Sequence, residues 1–138
     1  MLKMLWVTAA LCLLLAAPAL AMASDYSLVV NGTLIYPDVP LAVEGVKVLV
    51  PLRAVAEATG ATVQYVDNER ELIISRPGLE VTLWLDNYAG FKNGSPIVLT
   101  VPPKLIKDRT FVTRDQLVQI LDVKVYLSVP ANSFIVQG

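Results

Sequence analysis

A run of six residues, Val30-Asn31-Gly32-Thr33-Leu34-Ile35, returns sixty-two positions later as Lys92-Asn93-Gly94-Ser95-Pro96-Ile97. The same offset lays residues 31–75 onto 93–137 without a gap. Identity survives at eight positions, among them Asn31/Asn93, Gly32/Gly94, Pro40/Pro102, Val50/Val112 and Val63/Val125. Apolar character survives at more, including Leu49/Phe111, Val55/Leu117, Leu72/Phe134 and Ile74/Val136, and Lys47/Arg109 keeps a cation. Two copies of one supersecondary unit follow from this, and neither is long enough to bury its apolar face alone. The chain is therefore predicted to fold as one domain from two related units.

Each unit reads locally. Asn31-Gly32 and Asn93-Gly94 are hairpin turns, because both residue types accept the positive φ of a type I′ turn. Both also fit the Asn-x-Ser/Thr acceptor pattern, which follows here from the residue after the turn. Val46–Val50 is β-branched and apolar, hence a strand, and Pro51 suits the first position of a helix. Leu52, Val55, Ala56 and Thr59 give that helix its apolar stripe, and Gly60 is its left-handed cap. Residues 63–66 and 71–75 form a second hairpin. In the second unit Thr113-Arg114-Asp115-Gln116 is a capping box. Between the units, Leu79, Val81, Leu83 and Leu85 alternate with Glu80, Thr82 and Trp84 as a half-buried strand. The predicted fold is α+β: antiparallel sheets packed on two short helices, in two β-β-α-β-β units spanning about 26–78 and 88–138.

The N-terminal stretch sets the address. Lys3 is the only charge before Asp25, and the chain is apolar from Met4 to an Ala-x-Ala exit. This is the pattern of a secretory signal peptide over residues 1–23, cut between Ala23 and Ser24, or else after Ala21. The same stretch is long enough to cross a bilayer as an anchor, although Pro18 and the alanine-rich exit favour cleavage. Without it, 56 of 115 residues are hydrophobic, an ordinary globular share, and the charge is 10 − 12 = −2. That balance gives no reason to expect nucleic acid as a partner, nor stable membrane insertion after cleavage. The segment 24–138 is then a single secreted domain with no disulfide, since Cys12 leaves with the leader.

Residues 29–75 resemble the copper amine oxidase N-terminal-like domain, the stalk domain of bacterial secreted proteins. The resemblance rests on Asn31-Gly32, Pro40, Val50-Pro51-Leu52-Arg53, the Ala56–Ala61 helix end, Val63-Gln64-Tyr65 and Leu72-Ile73-Ile74. The second unit departs from it: Thr113-Arg114-Asp115 replaces Pro51-Leu52-Arg53, and Asp122 stands where Gly60 does. What the resemblance implies is an extracellular accessory module, secreted or held at the cell surface or cell wall, with no catalysis and no copper.

The residues themselves offer little chemistry. With no His and one leader Cys, imidazole and thiolate ligands for copper or zinc are missing, and no cofactor is expected. Nucleophilic catalysis through His or Cys goes with them. A carboxylate-dependent hydrolase built on acids such as Glu69, Glu71 and Asp86 is a third-ranked reading. Arg53 is expected to tie the helix start to a nearby strand through a carboxylate such as Glu57. The candidate ligand-binding residues are Trp84, Tyr88 and Phe91, where an aromatic surface would stack on a sugar or a partner. The structural motif residues are Asn31, Gly32, Pro51, Arg53, Gly60, Asn93 and Gly94. The sequence thus reads as a non-catalytic structural or interaction module of the cell envelope. A carbohydrate- or peptidoglycan-binding module is the runner-up, with cell-wall polysaccharide or another envelope protein as partner.

Overall fold

The computed structural model describes residues 21–138. The leader expected over residues 1–23 lies outside the described residues except for its last three. The first half runs β1 (Met22–Ala23), β2 (Ser27–Val30), β3 (Thr33–Ile35), β4 (Ala42–Glu44), β5 (Lys47–Pro51), α1 (Leu52–Ala58), β6 (Thr62–Val66) and β7 (Glu71–Arg76). A connecting strand follows, β8 (Leu79–Trp84). The second half runs β9 (Ala89–Lys92), β10 (Ser95–Val98), β11 (Lys104–Ile106), β12 (Arg109–Thr113), α2 (Arg114–Leu121), β13 (Lys124–Ser128) and β14 (Ser133–Gln137).

The fold is mainly β, which corrects the α+β expectation. Strands hold 51% of the described residues, in three sheets, and the two helices have only seven and eight residues. The predicted helices do form, but each stops after about two turns at a left-handed residue, Gly60 at φ 92° and Asp122 at φ 57°. They fill gaps between sheets and do not form a layer. The sequence reading also missed β4 and β11, three-residue strands that return through the two-residue turns Gly45-Val46 and Lys107-Asp108.

The Asn-Gly turns are type I′, with φ 49° and 81° at Asn31 and Gly32 and 50° and 83° at Asn93 and Gly94. Their side chains do as much as their backbones. The Asn31 Nδ2 donates to the Gly138 carbonyl (3.1 Å), and the Gly138 N–H donates back to Oδ1 (2.9 Å). In the other half the Glu80 N–H donates to the Asn93 Oδ1 (2.8 Å), and Nδ2 donates to the Gly78 carbonyl (3.3 Å). Each asparagine therefore latches its hairpin to the strand beside it.

The central sheet has the order β1-β4-β5-β12-β11. At its middle β5 and β12 pair antiparallel, Leu49 with Thr113, Val50 with Val112 and Pro51 with Phe111. Val50 and Val112 stand at the sixty-two-residue offset, so exchanging the halves maps this pairing onto itself. The flanking sheets are β10-β9-β8-β7-β6 and β13-β14-β2-β3. The same exchange carries β6, β7, β9 and β10 onto β13, β14, β2 and β3, with β8 as the extra strand. Where β8 is missing, β14 meets β2 directly and in parallel, so that sheet is not purely antiparallel as expected.

The core belongs to both halves. Val50, Leu52, Ile74, Val81, Val112, Leu117 and Phe134 are buried in one cluster, and each fully buried side chain contributes about 1.5–3 kcal/mol. Ala42, Leu49 and Phe111 form a second cluster.

The helices start and end by different devices. Pro51 precedes α1 in extended conformation and lacks an N–H to satisfy, and no side chain caps it. At the equivalent position Thr113 has an N–H, and the Gln116 Oε1 accepts from it at 2.6 Å, completing the predicted capping box. At the far end of α1, the Gly60 N–H donates to Glu57 (3.0 Å) and the Ala61 N–H to Ala56 (2.9 Å), a Schellman motif. Arg76 reaches the ends of both helices, donating to the Thr59 hydroxyl (3.1 Å) and the Leu121 carbonyl (2.6 Å). A cation there suits the negative end of each helix dipole.

Candidate functional site

The aromatic trio does not make one patch. On β8 the buried residues are Leu79, Val81 and Leu83, so Glu80, Thr82 and Trp84 take the outer face. Register sets Thr82 opposite Phe91, which places Trp84 diagonally across from Phe91 on that face. The two rings meet edge-on, 6.1 Å apart at 78°. Trp84 is half-buried, and Phe91 is exposed. Tyr88 continues the β9 ladder by accepting from the Leu99 N–H (2.7 Å). It lies at a bend just before β9 and is exposed, with no ring contact to Trp84 or Phe91. Trp84 and Phe91 are thus brought together, and Tyr88 is not.

Arg53, on the first turn of α1, donates to the Val63 carbonyl at 2.8 Å and to Glu57 at 3.3 Å. It ties the helix to β6, the free edge of its sheet, and occupies a carbonyl that an added strand would need. It also walls an open cleft of about 840 Å³. The floor of this cleft is apolar, with Leu52, Val63 and Leu72, and its rim carries Tyr36, Tyr65, Asp38, Arg109 and Asp108. Tyr36 is 82% exposed. The Asp38 Oδ2 accepts from the Arg109 Nε at 2.9 Å and Nη2 at 2.6 Å. That hydrogen bond holds the Asp38 carboxyl below its ordinary range and raises the Arg109 guanidinium above its own. Sequence reasoning missed Tyr36, Asp38, Tyr65 and Arg109 as site residues, because they come from three separate segments.

A second, smaller groove of about 470 Å³ is the counterpart of the first. Its Thr113, Asp115, Leu127 and Phe134 stand sixty-two residues beyond Pro51, Arg53, Tyr65 and Leu72. Its Lys47 and Thr100 likewise match Arg109 and Asp38. The backbone frame is shared, whereas the tyrosines belong to the larger groove, and the smaller one has Phe134 and the Arg114 guanidinium.

A family model for the copper amine oxidase N-terminal domain matches residues 29–136. The chain belongs to the copper amine oxidase N-terminal domain family. A search of curated proteins finds no match. The copper amine oxidase N-terminal domain is a non-catalytic accessory domain. The buried polar side chains among the described residues are Thr113 and Gln116, so no described carboxylate sits where burial would raise it toward general-acid work. Asp86, one of the acids weighed above, pairs with Arg70 at 2.8 Å on the surface. Among the described residues, no three His, Cys, Asp or Glu side chains cluster as a metal cage, and a chain without His lacks the imidazole that copper wants.

Proposed function

We propose that this copper amine oxidase N-terminal domain is a secreted, non-catalytic structural or interaction module of the cell envelope. The observation that carries the reading is the match to an accessory-domain family across residues 29–136. The offset of sixty-two residues, at which the elements of one half follow those of the other, supports descent of both halves from one duplicated unit. A core shared through the β5–β12 pairing suits a rigid part that holds or spaces other things. The leader over residues 1–23 supplies the route outward, and no helix among the described residues is long and apolar enough to cross a membrane. Cell fractionation with intact-mass measurement tests this. The expected result is a chain beginning at Ser24 outside the cytoplasm; an intact Met1 form in the cytoplasm would overturn it.

A further inference from the structure

We propose that the cleft beside Arg53, bounded by Tyr36 and Tyr65, is a binding site for a neutral oligosaccharide. The proposal rests on the interaction-module reading and gives it a surface. Buried positions that both halves share keep their residues at the sixty-two-residue offset, as Val50/Val112 and Val63/Val125 do. Apart from the cation at Arg109/Lys47, the rim of the larger cleft does not recur. Tyr36, Tyr65 and Arg53 are matched by Val98, Leu127 and Asp115, so the frame stands without the rings and the guanidinium.

The lining then points to a ligand chemistry. Tyr36, 82% exposed, and Tyr65, 38% exposed, leave apolar ring surface in water at the mouth of a concave site. A volume of about 840 Å³ lies within the range of small-ligand sites. Both guanidinium groups of the wall are paired, Arg109 with Asp38 and Arg53 with Glu57, and the carboxylates of Asp67 and Asp108 also line it. Such pairs offer donors and acceptors side by side with both cations neutralised, and the two further carboxylates add acceptors. Sugar hydroxyls donate and accept together, and the C–H face of a pyranose ring stacks on tyrosine. A peptide adding to β6 fits less well, because Arg53 already holds the Val63 carbonyl on that edge.

The experiment is an NMR titration of the full chain with the tetramers of N-acetylglucosamine and of glucose at millimolar concentration. The expected result is saturable shifts around Tyr36, Tyr65 and Asp108 with at least one tetramer. Tyr36→Ala should weaken that binding about three- to tenfold with an unchanged urea midpoint, and Tyr36→Phe should bind like the parent. Leu127→Ala, in the second groove, should leave the affinity unchanged. The proposal is overturned if neither tetramer shifts the spectrum, or if shifts gather at the second groove or at Trp84. It is equally overturned if tetralysine binds the cleft and the sugars do not. None of these results bears on where the chain resides, so the localisation reading stands or falls separately.

Discussion

The two helix starts give a quantitative test of how this fold satisfies its backbone. Gln116 is 1% exposed and Thr113 7%. The Gln116 side chain accepts from the Thr113 N–H at 2.6 Å and donates to the Val101 carbonyl. Gln116→Ala strands the Thr113 N–H, which costs about 1–3 kcal/mol when buried, and removes a bond to Val101 worth about 0.5–1.5 kcal/mol. The total, about 2–4 kcal/mol, is a large part of the 5–15 kcal/mol that holds a typical domain. In the first half the corresponding residues are Pro51 and Ala54, so that helix start has no N–H to satisfy and no glutamine to satisfy it. Thr113→Pro should therefore make Gln116→Ala cheaper by about 1–2 kcal/mol, since the orphaned donor no longer exists. Val112 before it is in a strand, the conformation proline asks of its predecessor. A double-mutant cycle by urea denaturation measures the coupling. Additive costs would refute the reasoning, because they would show that the buried glutamine does not act through the Thr113 N–H.

Four further outcomes are expected. Gly60→Val should cost about 1–2 kcal/mol from backbone strain alone, since φ is 92° and nothing lies within 4 Å of the added Cβ; an unchanged urea midpoint would contradict this. Gly90→Ala should cost about 1–3 kcal/mol, because its Cβ would sit 2.8 Å from the Leu83 Cδ2 and 2.9 Å from the Thr82 carbonyl oxygen; the urea midpoint reports it. Trp84→Ala should cost about 1–2 kcal/mol through the lost edge contact with Phe91, and a midpoint equal to the parent's would mean that the ring is free for a ligand. Asp38 should titrate below its ordinary 3.8 in a carboxyl NMR experiment and return toward it in Arg109→Ala. Because its folded pKa is depressed, its stabilising contribution is present above about pH 4 and is lost as pH falls through the folded value.

What the sequence made legible was what repeats over short distances. The Asn-Gly turns, the alternation of β8 and the capping box at Thr113 all depend on neighbours within four residues, and all appear in the structure. The tie from Arg53 to Glu57 was legible for the same reason, a one-turn spacing on a helix. Strands β4 and β11 were not, because Ala42-Val43-Glu44 and Lys104-Leu105-Ile106 are too short to show a period. The mainly β character followed from strand pairings such as β5–β12 and β14–β2, which no local pattern encodes. Tyr88 illustrates the limit for sites. It lies nearer to Trp84 in sequence than Phe91 does, yet the ring in contact with Trp84 is that of Phe91, set there by the β8–β9 register. Tyr65 stood within the family motif without a sign of its role, and the two tyrosines shared one sequence signal, a difference: at the offset, Leu127 replaces Tyr65 and Val98 replaces Tyr36.

The parallel pairing of β14 with β2 sets an order of events. Asn31 and Gly138, its latch, are 107 residues apart, and closing a loop of that length costs roughly 4 kcal/mol of chain entropy. A chain growing from its N-terminus can complete the β2–β3 hairpin early, yet the other side of β2 stays open until Ser133–Gln137 has been made. Through that interval Leu28 and Val30, both buried in the finished fold, have no β14 to cover their strand. An open apolar strand edge recruits other chains. Synthesis that stalls after β13, or cleavage within the Val129–Asn132 turn, would therefore leave a nearly complete molecule prone to pair with its own copies. The five-residue strand β14 thus closes the open side of β2 as well as adding a piece of sheet.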